Sequence, residues 1–284
     1  MHVTPASPTC GAYVEGLVLQ TMTEAQFDAL LEAWQRHRVL GIRGQALDTA
    51  AFHRFACRFG RPQPHVLDQY HHPDNPDILI LSNVIEPDGR PRGLADGGSY
   101  WHSDYSYKAL PAKATLLYNL ECPGDGGDTL YIDMARAYAT LPAALRSRIR
   151  GLHAFHDYEY RHRQQIARHG VRKALSAEQK ALTPEVRHPV VRRHPDTGEP
   201  ALFINPGFTV RFDGIDADES DALKDELFAH VLRPETIFTY KWRKGDVVLW
   251  DNRALIHSAT TGYRENRTLW RITVLAEPPV PWDA

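Results

Sequence analysis

The stretch Tyr100-Trp101-His102-Ser103-Asp104-Tyr105-Ser106-Tyr107 gains its meaning from a second one far along the chain, Trp250-Asp251-Asn252-Arg253 … His257 … Arg267 … Arg271. On a strand, residues i and i+2 share a face, so a ligand pair at that spacing points one way. His102 and Asp104 meet this requirement, and His257 completes a set of two imidazoles and one carboxylate. Such a set can occupy one face of an octahedral metal and leave the remaining positions open. Arg267, downstream of the second histidine, adds a guanidinium fork that matches a carboxylate.

His-x-Asp alone says little, because this chain contains it three times. His72-Pro73-Asp74 and His194-Pro195-Asp196 have proline in the middle and sit beside turn formers, Asn75-Pro76 and Thr197-Gly198, so both read as loops. Only His102-Ser103-Asp104 continues through aromatic and small residues without proline. Backed by His257 and two arginines, it is the candidate metal site, with the open-sided ligand logic of non-haem Fe(II) oxygenases.

Composition sets the frame for that chemistry. At 284 residues, 43% hydrophobic and 24% charged, the chain reads as an ordinary soluble globular protein. A net charge of −2 gives no footprint for nucleic acid or for an acidic membrane surface. No apolar run approaches the ~20 residues that span a bilayer, and no basic segment followed by an apolar core opens the chain. Cys10, Cys57 and Cys122 are scattered and odd in number, which suits reduced thiols in a cytoplasmic setting and forms no zinc pattern.

Periodicity supplies the elements. Thr23-Glu24-Ala25-Gln26 is a capping box, followed by Phe27, Leu30, Leu31 and Trp34 at helical spacing up to about Arg38. Val39-Leu40-Gly41-Ile42 reads as a short buried strand. Asp48 caps a second helix carrying Phe52, Phe55 and Phe59, which Gly60 stops. Ile78 to Leu81 and Ala114 to Leu120 are strands. Residues 87–99 form a Gly-, Asp- and Pro-rich loop leading to the metal motif. Asp133 caps a helix that Pro142 interrupts. Residues 153–200 read as a long insertion with helical pieces, a feature typical of lids and binding loops. Its basic residues Arg161, Arg163, Arg168, Arg172 and Lys173 read as a solvated helix side. A helix with Leu223, Leu227, Phe228 and Val231 follows, then strands over 236–242, 247–251 and 268–275. Helices early and short strands late predict a β-rich α+β fold, an antiparallel sandwich with helices outside it. No linker divides the chain, so residues 1–284 read as one domain. Arg267 and Arg271, four apart on the last strand, share its face with Leu269, Thr273 and Leu275. Their Cα atoms are about 13 Å apart, which suits two different anionic groups.

Taken together, the chain resembles the taurine/2,4-dichlorophenoxyacetate dioxygenase family of Fe(II)- and 2-oxoglutarate-dependent oxygenases. The likeness rests on Tyr100-Trp101-His102-Ser103-Asp104, Gly126-Gly127-Asp128-Thr129-Leu130, Phe203-Ile204-Asn205-Pro206-Gly207-Phe208-Thr209, Trp250-Asp251-Asn252-Arg253, His257 and Arg267 … Arg271. It covers the chain from about Gly16 to Leu275. The resemblance implies a double-stranded β-helix (jelly-roll) core with flanking helices, and Fe(II) held by His102, Asp104 and His257. It implies that Thr129 and Arg267 bind the distal carboxylate of 2-oxoglutarate. It further implies that O2 and the keto acid are consumed as a substrate C–H is hydroxylated, with succinate and CO2 released. Asp251, Asn252 and Arg253 would be turn residues that set His257. Arg271 would meet the anionic end of a small organic substrate, with Tyr107, Phe208, Asn83 and His65 as further pocket candidates. Taurine itself is disfavoured, because Gly97-Gly98-Ser99-Tyr100 stands where taurine enzymes carry Asn and Asp. Family likeness suggests a homo-oligomer, dimer or tetramer.

Two other classes compete. A jelly-roll hydrolase or isomerase without 2-oxoglutarate accounts for His102, Asp104 and His257 but gives Thr129 and Arg267 no role. A non-catalytic small-anion binder needs no intact triad.

Overall fold

In the computed structural model, which describes residues 1–169 and 174–282, local sequence signals set the first elements. Helix Glu24–His37 starts at Thr23, whose hydroxyl accepts the Gln26 amide while the Gln26 side chain accepts the Thr23 amide. The helix ends at Arg38, which turns at φ 66° and donates its amide to the Trp34 carbonyl. Asp48 caps helix Thr49–Cys57 by accepting the Ala51 amide at 2.7 Å. Phe59 lies just beyond that helix and still packs edge-on against Phe27, Trp34 and Phe55.

These two helices cover one face of an eight-stranded sheet. Its strands run in the order His2–Pro5, Ala12–Glu15, Val39–Ile42, Val247–Asp251, Ala112–Glu121, Thr268–Leu275, Asn75–Ser82 and His71–His72. Every neighbouring pair is antiparallel except Ala12–Glu15 with Val39–Ile42. Alternation along a strand divides the side chains between two faces. Trp270, Ile272 and Val274 join Phe52, Leu116 and Tyr118 under the helices, whereas Leu269 and Leu117 face the other way. The inward reading of the last strand therefore holds.

Opposite that second face lies a three-stranded sheet ordered Phe238–Tyr240, Thr129–Asp133, Leu255–Ala259. Two further three-stranded sheets follow, one of Thr209–Phe212, His153–His156 and Val186–Pro189, the other of Pro200–Leu202, Val191–Arg193 and Val280–Pro281. Helices Met134–Ala139, Ala143–Arg148 and Ala217–Val231 close a third core around Ile132, Val190, Leu202, Leu223 and Leu227. The fold is sheet-rich α+β. Among the described residues no helix is long and apolar enough to cross a membrane.

The structure departs from the sequence reading in three places. The segment 153–200 contributes three strands and the first residue of a fourth, and its helices Tyr158–His169 and Ala177–Ala181 fill only the middle. Histidines and a proline within those strands hide their alternation. The strand Leu255–Ala259, which carries His257, has no proline- or glycine-bounded apolar run to announce it. His102 and Asp104 do not sit on a regular strand either. His102 forms an isolated bridge to His257, and the chain then turns. Of the basic residues, Arg163 is exposed, whereas the Arg161 guanidinium lies 3.9 Å over the Tyr100 ring. Arg172 and Lys173 lie outside the described residues, as does the side chain of Arg168.

Candidate active site

The two histidines are brought together by backbone pairing. The His102 amide donates to the His257 carbonyl at 2.9 Å, and the His257 amide returns a bond to the His102 carbonyl at 2.8 Å. Their ring centroids are 4.2 Å apart. The His102 Nδ1–H donates to the Tyr100 carbonyl at 2.7 Å, which leaves the Nε2 lone pair free for a ligand role. The His257 ring is wedged by Trp250 and Tyr131, with centroids at 4.7 and 6.1 Å. Burial and the neighbouring His102 push its pKa well below the usual histidine value, so the imidazole is neutral, as a metal requires.

Asp104 is buried and fully engaged. Burial alone would raise its pKa, but Arg271 and the two imidazoles outweigh that and hold the carboxylate well below its ordinary range. Arg271 Nη2 donates to Oδ1 at 2.7 Å, and the Thr115 hydroxyl donates to Oδ2 at 2.6 Å. Asn252 completes the support: its Oδ1 accepts the Asp104 amide at 3.1 Å and the Trp250 indole at 3.1 Å, and its Nδ2 donates to Thr115 at 2.9 Å. Asn252 therefore positions Asp104, not His257 as the sequence suggested. Asp251 and Arg253 pair with each other and with His194 and Asp196, building a buried ionic turn one step behind the site.

His102 Nε2 lies 3.4 Å from Asp104 Oδ1 and His257 Nε2 lies 3.7 Å from Oδ2. These separations are too long for good hydrogen bonds, yet one ligand atom from each residue falls within 4.8 Å of the others. Buried, convergent nitrogen and oxygen donors with a neutral ring and a charged carboxylate fit a divalent metal such as Fe(II). Among the described residues no other group of histidine, cysteine or acidic side chains does so.

Two cavities meet at this triad, sharing Gly97, Gly98, His102 and Arg271 in their walls. Gly98 turns at φ 75°, and a Cβ there would stand 3.1 Å from the His102 ring, so a side chain at this position would be strained and would crowd the imidazole. The first cavity holds His257, Thr129 and Arg267. Arg267 is buried, donates Nε–H to the Gly127 carbonyl at 3.1 Å, and among the described residues has no carboxylate at ion-pair distance. Burial lowers its pKa, with Tyr263 opposing that shift. The Thr129 oxygen accepts the Trp242 indole at 3.0 Å, which frees its proton for another acceptor. A buried guanidinium without a counter-charge is costly, and a carboxylate-bearing cosubstrate removes that cost. 2-Oxoglutarate fits this arrangement.

The second cavity is lined by Arg271, Tyr107, Phe208 and His65, as the sequence anticipated, and also by Leu94, Tyr100, Tyr105 and Tyr158. Asn83 lines neither cavity. Its Oδ1 accepts the Arg267 amide at 2.8 Å and its Nδ2 donates to the Glu265 carbonyl at 2.9 Å, so it ties down the strand that carries Arg267. Thr115, Trp242 and Tyr158 escaped the sequence reading because nothing near them in the chain marks their long-range partners.

Known proteins share this fold. Residues 2–273 match the family described as taurine catabolism dioxygenase TauD, TfdA family. An alpha-ketoglutarate-dependent sulfate ester dioxygenase of Pseudomonas putida is 33% identical, with 100% of this chain and 92% of the relative covered. An (S)-phenoxypropionate/alpha-ketoglutarate-dioxygenase of Delftia acidovorans is 30% identical over 98% of this chain and 96% of its own. A solved taurine dioxygenase from Burkholderia xenovorans superimposes with a TM-score of 0.81 at 29% identity, covering 98% of this chain and 92% of its own. A match over nearly the whole length, joined to an intact His-Asp-His cluster, decides between the competing chemistries: the chain belongs to the TauD/TfdA family and is an Fe(II)- and 2-oxoglutarate-dependent dioxygenase that consumes O2.

Proposed function

We propose that His102, Asp104 and His257 hold the Fe(II), that Arg267 and Thr129 receive the distal carboxylate of 2-oxoglutarate, and that a small organic anion is hydroxylated in the cavity of Arg271, Tyr107, Phe208 and His65. The observation that carries this reading is the buried Arg267, free of any carboxylate at ion-pair distance among the described residues, in a cavity that opens on the triad. The large sheet and the three-stranded sheet facing it across the site support a jelly-roll core within one domain. The helices between His156 and Val186 serve as its lid, since Tyr158 lines the substrate cavity.

Bound Fe(II) supplies the oxidising chemistry, coupling decarboxylation of 2-oxoglutarate to succinate and CO2 with oxygen insertion into a substrate C–H bond. The protein's own residues provide position and charge. Arg267 and Thr129 fix one end of the cosubstrate. Arg271 donates Nη2 to Asp104 and Nε to the Thr273 hydroxyl, which leaves Nη1 to meet a sulfate, sulfonate or carboxylate. Tyr107, Tyr158 and Phe208 stack around the space beside His102 and exclude water from the reacting carbon. Relatives named for sulfate esters and for phenoxypropionate support an anionic substrate of this size. Gly97 and Gly98, which offer no side chain to the cavity, support a substrate other than taurine.

Anaerobic titration with Fe(II) and then 2-oxoglutarate tests the assignment. A metal-to-ligand charge-transfer band is expected in the wild-type protein and no iron-dependent band in His257→Ala. An unchanged band in that variant removes His257 from the metal. Failure of the wild-type protein to develop the band removes the keto-acid site. A monoanionic sulfate ester that shifts the band is a substrate candidate.

A further inference from the structure

The chain beyond Asp104 folds back on itself. The Ser106 amide bonds the Ser103 carbonyl at 3.3 Å, the Lys108 amide bonds the Tyr105 carbonyl at 2.8 Å, and Tyr105 adopts φ 53°. A tyrosine in the left-handed region is strained, and strain of this kind persists where the surroundings need the shape. Here the turn lays the Lys108 ammonium over the Tyr105 ring, 4.4 Å from its centroid. The Arg271 guanidinium lies 5.9 Å from the same centroid. One ring of the substrate cavity is thus flanked by two cations, of which Arg271 is already bound to Asp104.

Lys108 is half-buried, and among the described residues no carboxylate lies at ion-pair distance from it. Burial alone lowers its pKa, to about 8, so it remains protonated at neutral pH. It lines an outer cavity with Gln63, His65, Val66 and Gln179. His65 also lines the inner cavity beside Tyr105 and Arg271, so the two spaces share a wall. Asp68 and Glu178 line the outer cavity too, but both are exposed at its rim.

We propose that the outer cavity reads the far end of the substrate and that Lys108 binds a second anionic group there, so that the enzyme selects dianions with a charge at each end over monoanions of equal length. The inference rests on the reading of the inner cavity as the site of an anionic head group at Arg271. The apolar Pro64, Val66 and Leu182 beside Lys108 suit the chain that joins the two charges. A half-buried lysine that has only an aromatic ring beside it separates a dianion from a monoanion, because only the former brings it an anionic partner.

The test uses the anaerobic Fe(II)–2-oxoglutarate complex of the full chain, with hexyl sulfate and 6-sulfooxyhexanoate as probes and the charge-transfer shift as readout. The wild-type protein is expected to bind the carboxylated probe about tenfold more tightly. Lys108→Met should abolish that preference while leaving the affinity for hexyl sulfate within about twofold, and Lys108→Arg should retain most of it. Equal affinities in the wild-type protein overturn the inference and leave the inner site standing. So does a Lys108→Met variant that weakens both probes by the same factor, which is the signature of packing on Tyr105. If neither probe shifts the wild-type band, the inner-site reading falls and takes the inference with it.

Discussion

Arg267 and Asn252 show how much of this site is carried by single side chains that no metal touches. Arg267→Ala should weaken 2-oxoglutarate binding by about 2–5 kcal/mol, the range for one partner of a buried charged pair. The charge-transfer titration measures this directly, and unchanged affinity would take Arg267 out of the cosubstrate site. Asn252 acts at one remove. Asn252→Ala strands the Asp104 amide and the Trp250 indole, both buried. Loss of about 1–3 kcal/mol of stability is expected from such unpaired groups. Fe(II) affinity should also drop about 10- to 100-fold, as is usual when the residue orienting a ligand is removed. Denaturant titration and anaerobic metal titration separate the two effects; normal iron binding would reduce Asn252 to a packing role.

Among the elements, the strand Val39–Ile42 gives the sharpest check on packing. A Cβ at Gly41 would fall 2.2 Å from the Tyr240 ring, whose hydroxyl donates to Asp246 Oδ2 at 2.9 Å. Gly41→Ala is therefore expected to cost about 1–3 kcal/mol in urea unfolding, the range for overpacking; a neutral result would mean that the Tyr240 ring moves freely. Both helix caps at the start of the chain were legible because capping is a local code, written within four residues. The convergence of His102, Asp104 and His257 was legible because few residue types can serve as metal donors and only one His-x-Asp in the chain lacks proline. The service of Asn252 to Asp104 was not, since those residues are 148 apart and nothing local marks the pair. Strands His153–His156 and Val186–Pro189 were missed because their faces carry histidine, arginine and proline in place of alternating aliphatics.

At the scale of the molecule, acid should loosen the third core before it unfolds the first. His188 and His156 are buried with ring centroids 5.5 Å apart, and His188 bonds the Lys108 carbonyl. Burial lowers both pKa values, that of His188 to about 4. A histidine whose folded pKa lies below its unfolded one binds its proton more tightly when unfolded. Stability is then full above about pH 6.5 and falls toward pH 4, by up to ~1.4 kcal/mol per unit for His188. Urea unfolding between pH 7 and pH 4.5 should show this slope in the wild-type protein and a shallower one in His188→Gln. An unchanged slope would assign the loss to other groups. The Asp251 carboxylate acts lower still: buried but held by Arg253 and His194, its pKa is depressed, so its contribution fades only below about pH 4.

The contact between Asp104 and Arg271 joins residues 167 positions apart, and His102 pairs with His257 across a comparable span. On a ribosome the first two proposed ligands emerge long before the third, and the last strand emerges after all of them. On the proposed ligand set, a nascent chain therefore holds only two of the three donors until His257 emerges. On that reading, full iron affinity is a property of the folded chain alone, because its donors come from segments that only the fold brings together.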